Sequence, residues 1–321
     1  MSRLRIVFCG TPHFAVPSLK TLIADPDFEI LGVFTQPDRP RGRGQELSFS
    51  PVKALAVESH IPVHQPEKIR APEVEQQLRA MAPDAIVIIA YGQIIPARLL
   101  PIPRLGWINL HASLLPKYRG AAPIHWAIAN GETITGNTTM RIDAGMDTGE
   151  MLLQQELPIG SDETSPELTD RLSQAGAPLL LDTLRGLQSG ALAARRQDDS
   201  QATYAPMLKR DDGLIDWARR AAEIYNRLRA FTPWPGAYTI FRGQTCHIWG
   251  HPWSSTSEQI PQEFAHAPGT LVHHHGNWLI VCGTATLLLL TYVKLEGRKQ
   301  ISAIEFANGA RLQTGEQFKK Q

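Results

Sequence analysis

The stretch GWINLHASLLP, residues 106–116, decides how this chain folds. In an extended segment, side chains two residues apart project from the same face, so Asn109 and His111 face one way while Ile108 and Leu110 face the other. A short apolar run of this kind predicts a buried strand. The stretch therefore predicts a core strand that presents two polar side chains together.

Short apolar runs recur through the first half of the chain and alternate with segments of helical period. The apolar runs lie at 4–9, 30–35, 85–90 and 107–110, and the helical segments lie at 17–24, 52–58 and 73–81. This alternation is typical of a parallel sheet covered by helices on both faces. We therefore predict an α/β fold with a Rossmann-like, doubly wound, mostly parallel sheet.

Two more strands and a long helix are predicted after residue 116. Residues 138–142 and 150–157 are typical of strands that flank a loop. The segment TSPE, residues 164–167, offers a capping hydroxyl, an early proline and a glutamate, which together favour the start of a helix.

The second half of the chain differs in composition. Residues 189–208 are polar and small, which favours an interdomain linker, and residues 209–321 contain short strands punctuated by glycine and proline. We predict a Rossmann-like domain at 1–188, the linker, and a smaller OB-like β-barrel at 209–321. The last segment carries 13 Lys and Arg against 9 Asp and Glu, a mildly basic balance that suits a phosphate backbone.

Composition limits the classes of protein to consider. The chain has 321 residues and a formal net charge of +1, and it lacks the run of about 18 apolar residues that a membrane helix needs. Its first residues indicate a strand rather than a signal peptide, so we expect a cytoplasmic protein. We also expect it to be a monomer without an obligate protein partner.

The three cysteines are expected to be buried, reduced thiols. Adjacent histidines at 273–275 cannot all face one ion, so we expect no metal.

The segment DAGMDTG, residues 143–149, places a carboxylate on a glycine-flanked loop. Asn109 and His111 can donate hydrogen bonds to a developing oxyanion, and Asp147 can accept and relay a proton. The three groups together favour an acyl-transfer site. Taken singly, each has a simpler interpretation: a turn cap for the asparagine, a core position for the histidine, and an ordinary loop position for the aspartate.

The pattern Asn-x-His-x-Ser-Leu-Leu-Pro at 109–116, followed by Asp-x-Gly-x-Asp-Thr-Gly at 143–149, resembles the tetrahydrofolate-dependent formyltransferases. LPKYRGAAPI at 115–124 and TQPDRPRGRG at 35–44 are similar to the branch of that family that acts on methionyl-tRNA. The resemblance extends over essentially the whole chain. It implies direct transfer of a formyl group from 10-formyltetrahydrofolate to the α-amino group of methionyl initiator tRNA, through a tetrahedral oxyanion, in support of translation initiation.

The resemblance also implies which residues bind the two substrates. Ligands of open α/β sheets lie beyond the carboxyl ends of strands, which agrees with the implied positions. The residues implied in folate binding are Ser113, Leu114, Leu115, Pro116, Ile89, Ala90, Tyr91, Gly92, Ile95 and Asp143. Those implied in tRNA binding are Arg39, Arg41 and Arg43. Ordinary strand-to-helix turns and a solvated basic loop are the structural alternatives.

Two positions depart from the family pattern: His125 stands where glutamine is common, and Met207 where lysine is usual. The second change removes a cation from the expected tRNA path. Alternative functions are formyl transfer to a small amine such as glycinamide ribonucleotide or an amino sugar nucleotide, hydrolysis of formyltetrahydrofolate, and RNA binding without catalysis. The complete set of Asn109, His111 and Asp147 argues against the last.

Overall fold

A computed structural model describes residues 3–41, 46–253 and 267–319 of the chain. The chain divides into two compact units. The first comprises Met1–Pro123, Ile134–Pro158 and Glu167–Pro206, and the second comprises Ile124–Thr133, Ile159–Pro166 and Met207–Gln321. Each unit is built around its own cluster of buried apolar side chains.

A mostly parallel sheet organises the first unit. Within the described residues it has seven strands, numbered here in chain order. In spatial order they are β5 (Val63–His64), β2 (Phe28–Phe34), β1 (Leu4–Gly10), β6 (Ala85–Ile89), β7 (Trp107–His111), β8 (Ile134–Arg141) and β9 (Met151–Pro158). The first five strands in this spatial order are parallel to one another. The last two, β8 and β9, are antiparallel to their neighbours. The predicted Rossmann-like sheet is confirmed.

Strand β1 explains why helices cover both faces of this sheet. Its alternate residues Ile6 and Phe8 pack into one apolar cluster, while Val7 and Cys9 pack into another. Residues of three helices join the first cluster: α1 (Val16–Ala24), α2 (Pro51–Glu58) and α5 (Ser165–Ser189). Helix α3 (Pro72–Met81) joins the second. Because both faces are buried, the strands are continuous apolar runs rather than alternating ones.

Strand β8 is longer than the sequence predicts. The predicted strand begins at residue 138, but β8 begins at Ile134 because its pairing with β9 continues to Pro158. Thr135, Gly136 and Asn137 offer no apolar signal, and the neighbouring strand holds them extended. The predicted long helix is confirmed as α5, which begins at Ser165.

An antiparallel sheet organises the second unit. Its strands are β10 (Tyr238–Phe241), β11 (Gln244–Pro252), β12 (Leu271–His274), β13 (Asn277–Val281), β14 (Leu287–Leu295) and β15 (Ile301–Ser302). Helices α4 (Pro123–Ala129), α6 (Ala221–Ala230) and α7 (Ala303–Ala310) complete the described helices. Lys319 pairs with Ile240 of β10, and Gln317 pairs with Thr270 beside β12. This C-terminal segment thus connects the two edges of the sheet, which is the closure that a barrel requires.

Residues 189–206, most of the predicted linker, belong to the first unit and form backbone hydrogen bonds with it. Arg195 pairs with Met151 of β9 through two backbone hydrogen bonds of 2.8 Å. Further along, residues 203–205 bond to the backbone of residues 116–122. We call residues 195–205 the strap, because they join β9 to the segment that follows β7.

The described residues were compared with the expectations about membrane helices, metal sites and cysteines. None of the helices is long and apolar enough to cross a membrane. No group of three or more His, Cys, Asp or Glu in the described chain is arranged to hold a metal ion. All three cysteines are free and buried, as predicted, and burial raises the pKa of Cys246 and of Cys282 to about 12. These thiols therefore remain protonated at neutral pH.

Candidate active site

The carboxyl ends of three parallel strands meet at one edge of the sheet. Gly10 at the end of β1 lies beside Ile89 of β6, and Ile88 of β6 lies beside Asn109 of β7. The segments after β6 and β7, both predicted to bind folate, therefore start from the same edge. This edge also carries Asn109 and His111 at the end of β7.

His111 is buried and is held through one ring nitrogen. Its Nε2 lies 3.0 Å from the carbonyl oxygen of Tyr118, which can only accept, so Nε2 carries the proton and donates. The other nitrogen, Nδ1, lies 3.7 Å from Oδ2 of Asp147. The structure thus brings the predicted histidine and carboxylate together. In this orientation, Nδ1 accepts a proton as a neutral imidazole and donates a hydrogen bond as an imidazolium.

Asp147 is held in an unusual backbone conformation. Its φ is +54°, in the left-handed region that Asp and Asn enter more readily than most residues. Its Oδ2 accepts a hydrogen bond of 2.8 Å from the backbone N–H of Gly120. The carboxylate that faces His111 is therefore fixed by the backbone of a different loop.

Asn109 is half-buried and shares a face of β7 with His111. Among the described residues, its side-chain amide has no hydrogen-bond partner. A half-buried amide without a partner is a donor available to a ligand, since burial without a hydrogen bond is unfavourable. The predicted trio thus consists of a contacting His111–Asp147 pair and an amide on the same side of the strand.

The turn after β7 is braced from within. The Ser113 hydroxyl donates to the Lys117 carbonyl at 2.7 Å, and the Ser113 carbonyl accepts from Thr138 Oγ1 at 2.6 Å. Gln154 Nε2 donates to the Leu115 carbonyl at 2.9 Å. The polar groups of this predicted folate segment therefore maintain its shape. Leu114 is half-buried and Leu115 buried.

The segment after β6 turns sharply through two residues of positive φ, Ala90 at +47° and Gly92 at +86°. The Tyr91 carbonyl accepts a hydrogen bond of 2.9 Å from Gln36 Nε2, while the Tyr91 ring is buried and burial raises the pKa of its hydroxyl. Ile89 and Ile95 are buried as well. The predicted folate residues of this segment therefore present backbone groups and uncharged side chains.

Asp143, also predicted to bind folate, is engaged within its own loop. Its Oδ1 accepts the Gly145 N–H at 2.9 Å and the Thr148 hydroxyl at 2.7 Å. Such a contact between an Asp side chain and the backbone two residues on stabilises a tight turn. The geometry places Asp143 as a brace for the loop that carries Asp147.

Of the three arginines predicted to bind tRNA, Arg39 is exposed, and the backbone of Arg41 lies in β3 (Pro40–Arg41), which pairs with β4 (Glu46–Leu47). Arg43 lies outside the described residues. Asp38, next to Arg39, forms an ion pair with Lys53 and accepts a 3.0 Å hydrogen bond from Gln65 Nε2. The hydrogen bond from Lys53 is the main cause that lowers the pKa of the Asp38 carboxyl.

Of the two departures from the family pattern, His125 is half-buried, and burial lowers the pKa of its imidazole. Met207 is 72% exposed. Nothing in the described contacts gives either residue a role at the site.

Two residues that bond to Asp147, Gly120 and Gln197, were not predicted from the sequence as site residues. Nor was Arg119, which bonds to Gln197. Gly120 has a φ of +121°, and a Cβ there would lie 2.6 Å from the Ala205 carbonyl oxygen, so glycine is required. Gln197 Nε2 donates to the carbonyl oxygens of Asp147 and Gly149, both at 2.8 Å. Gln197 lies in a polar stretch typical of a linker, and no local signal distinguishes it.

Gly149→Ala is expected to lower the free energy of unfolding by about 1–3 kcal/mol and to abolish activity. A Cβ at this position would lie 1.8 Å from the Arg141 carbonyl oxygen, so the loop that carries Asp147 would have to move. Urea unfolding and a turnover assay check this. Gly309→Ala is the control, since its Cβ meets nothing within 4 Å and α7 should gain up to about 1 kcal/mol. Wild-type stability and activity in Gly149→Ala would contradict the steric argument.

Comparison with known proteins gives consistent matches over nearly the whole chain. Residues 4–184 match the formyl transferase family model, and residues 207–311 match the formyl transferase C-terminal domain. A methionyl-tRNA formyltransferase from Solibacter usitatus is 51% identical over 98% of this chain and 98% of its own length. One from Koribacter versatilis is 52% identical over 95% of this chain and 96% of its own length.

The fold is also similar to that of solved structures. WlaRD, a sugar 3N-formyl transferase solved in the presence of dTDP and 5-N-formyl-THF, superposes with a TM-score of 0.65. It is 18% identical in sequence, and the match covers 93% of this chain and 100% of that one.

Proposed function

The chain belongs to the formyl transferase family, and we propose that it transfers the formyl group of 10-formyltetrahydrofolate to the α-amino group of methionyl initiator tRNA. The observation that carries this proposal is the 3.7 Å contact between His111 Nδ1 and Asp147 Oδ2, with the unpartnered amide of Asn109 on the same face of β7 as His111. A proton acceptor, an amide donor and an imidazole that donates when it is protonated are groups that can support transfer of an acyl group to an amine.

The residues of the edge fit the folate co-substrate. When bound, it supplies the formyl carbon and, at N10, the leaving group. The Asn109 amide is a donor without a partner in the described protein, and the segments after β6 and β7 carry buried apolar residues. We infer that Ile89–Ala90–Tyr91–Gly92 with Ile95, the turn from Ser113 to Pro116, and Asp143 hold the folate. Asp143 also keeps its own loop in shape through its hydrogen bond from Thr148.

We infer the following division of labour. The Asn109 N–H donates to the former carbonyl oxygen as negative charge develops there, and His111 supports that charge when Nδ1 is protonated. Asp147 accepts the proton that leaves the attacking amine and returns it to the departing nitrogen. The new C–N bond forms first and gives the tetrahedral oxyanion; its collapse restores the carbonyl and breaks the old C–N bond, while one proton moves from the attacking nitrogen to the departing one. No acyl-enzyme is required.

We propose that the basic loop and the C-terminal unit bind the tRNA. Arg39 is exposed and directly follows Asp38, which pairs with Lys53; Arg41 and Arg43 follow in the same basic stretch of the sequence. Arginine can bind phosphate through two hydrogen bonds or stack on an unpaired base. In this division residues 1–188 carry out catalysis and residues 209–321 contribute a basic RNA-binding surface.

A variant in which Arg39, Arg41 and Arg43 are all replaced by alanine is expected to have a higher KM for tRNA and nearly the same kcat. Each lost phosphate contact should reduce the slope of log KM against log salt concentration by about 0.7–0.9. The variant is Arg39→Ala, Arg41→Ala and Arg43→Ala. The control removes three exposed, paired arginines elsewhere on the first unit, Arg79→Ala, Arg98→Ala and Arg104→Ala. An unchanged slope in the loop variant would contradict phosphate binding there.

We also propose that the enzyme acts in the cytoplasm, where charged initiator tRNA is used, and that it is a monomer. One chain contains Asn109, His111 and Asp147 together, which supports a site complete within a single subunit. Light scattering at assay concentration tests the oligomeric state, and a mass of twice 35.5 kDa would contradict it.

One assay tests the proposed function. The protein is incubated with formyl-labelled 10-formyltetrahydrofolate and, in separate reactions, charged initiator tRNA, charged elongator methionine tRNA, glycinamide ribonucleotide, an amino sugar nucleotide, or buffer. We expect label on the initiator tRNA far above the other acceptors. Faster transfer to a small amine, or release of formate in buffer at the same rate, would contradict the proposal.

A further inference from the structure

Gln197 and Arg119 form a buried polar pair that the chemistry above does not use. Arg119 is 2% exposed and Gln197 is 5% exposed. Gln197 Oε1 accepts hydrogen bonds from Arg119 Nε at 3.0 Å and from Arg119 Nη2 at 2.9 Å. Asp199 Oδ1 accepts another from Nη2 at 2.7 Å, so the buried cation has a charged partner in the strap.

The opposite end of the Gln197 amide reaches the loop of the active site. Its Nε2 donates to the carbonyl oxygens of Asp147 and Gly149, each at 2.8 Å. Arg119 can only donate and the two carbonyls can only accept, so the orientation of the amide is fixed by its partners. Every hydrogen-bonding position of this side chain is thereby used.

Asp147 is consequently held at two points. Gln197 bonds to its backbone carbonyl, and the Gly120 N–H bonds to its carboxylate. Buried Arg119 is linked to both contacts: it bonds to Gln197, and Gly120 is the next residue in the chain. A residue with a φ of +54° needs such support, since left-handed backbone costs free energy for a side chain with a Cβ.

We propose that Gln197 is a positioning residue for formyl transfer: it keeps Asp147 in its left-handed conformation, with the carboxylate directed at His111. The inference rests on the proposed function of Asp147 as proton relay. Gln197 does not contact the reacting groups itself. It acts through the backbone of the loop, and a displacement of about 1 Å at such a site can cost roughly 100-fold in rate.

Gln197→Glu separates this role from a merely structural one. The substitution keeps the length of the side chain and its contact with Arg119, but it removes both donors to the loop carbonyls and places oxygen against oxygen. We expect kcat to fall by about 10- to 100-fold and KM for folate and for tRNA to stay within about threefold of wild type. The thermal unfolding midpoint should fall by only a few degrees, because two buried carbonyls lose their donors.

Gln201→Glu is the matched control. Gln201 lies in the same strap, is exposed, and bonds to Asp198 at 2.9 Å, with no contact to the active-site loop among its described hydrogen bonds. We expect wild-type kcat. Equal kcat in Gln197→Glu and wild type would overturn the proposal. The proposal would also be overturned if KM for folate rose by as large a factor as kcat fell and the protein were partly unfolded at the assay temperature. That result would indicate a merely structural role.

Hydrogen exchange provides a readout independent of turnover. The Gly120 amide is protected by the Asp147 carboxylate, so its exchange in the ligand-free protein should quicken in Gln197→Glu and not in Gln201→Glu. If Gln197→Glu does not fold, Gln197→Asn, which retains the amide but shortens its reach, is measured in its place with the same expectation. Unchanged exchange at Gly120 would overturn the proposal. Absence of formyl transfer in the wild-type protein would instead contradict the proposed function, and exchange would still test the positioning.

Discussion

Replacing Asp147 by asparagine is expected to lower the single-turnover rate of formyl transfer by about 10²–10⁴ while leaving the binding of both substrates nearly unchanged. Asparagine has almost the same size and tolerates the left-handed backbone at φ +54°. Its amide oxygen can still accept the Gly120 N–H. The substitution therefore removes proton acceptance and the charge beside His111, but not the shape of the loop.

Asp170→Asn is the control for this experiment, since it removes an exposed carboxylate on α5. It should transfer formyl groups at the wild-type rate. Turnover of Asp147→Asn within a few fold of wild type would show that another group relays the proton. Loss of tRNA binding in the same variant would show that the loop had been displaced.

The second large effect is expected at Asn109. Asn109→Ala should lower kcat by about 10²–10³, because loss of one donor to a developing oxyanion has this magnitude in acyl-transfer sites. The side-chain amide has no hydrogen-bond partner among the described residues, so the substitution leaves no protein group unsatisfied and should change the free energy of unfolding little.

Asn109→Asp also tests whether this side chain donates to the oxyanion, and it leaves the size of the side chain almost unchanged. A carboxylate cannot donate when ionised, and its charge opposes that of the oxyanion, so the loss of kcat should be at least as large as for the alanine variant. Steady-state kinetics with both substrates saturating measure both variants. If the aspartate variant were more active than the alanine variant, Asn109 would not be the donor.

Strand β7 and its polar face were predictable because both depend on residues that are close together in the sequence. Apolar residues of β7 are continuous in sequence, and Asn109 and His111 lie two residues apart, so their common face follows from strand geometry. The parallel order of the first strands follows in the same way from apolar runs alternating with helical segments. Asp147 was predicted from the carboxylate on its glycine-flanked loop, but no periodicity reveals its contact with His111.

The residues that hold Asp147 were not predictable, for a physical reason. Gln197 lies fifty positions from Asp147, and its segment is polar, short of apolar residues and without a regular period. Composition of that kind favours a linker, yet the strap is held by hydrogen bonds rather than by apolar burial. Likewise, β8 begins before its apolar signal because β9 provides the partner. Long-range hydrogen bonds leave little trace in a local window.

The most direct test of the account is a crystal structure of this enzyme with a formyl folate that cannot transfer its group. The distance to measure joins Asn109 Nδ2 to the formyl oxygen. We expect about 2.7–3.1 Å, with His111 and Asp147 on the same side of the formyl carbon. A formyl group bound beyond hydrogen-bond reach of Asn109, with His111 and Asp147 turned away from it, would contradict the assignment of all three residues.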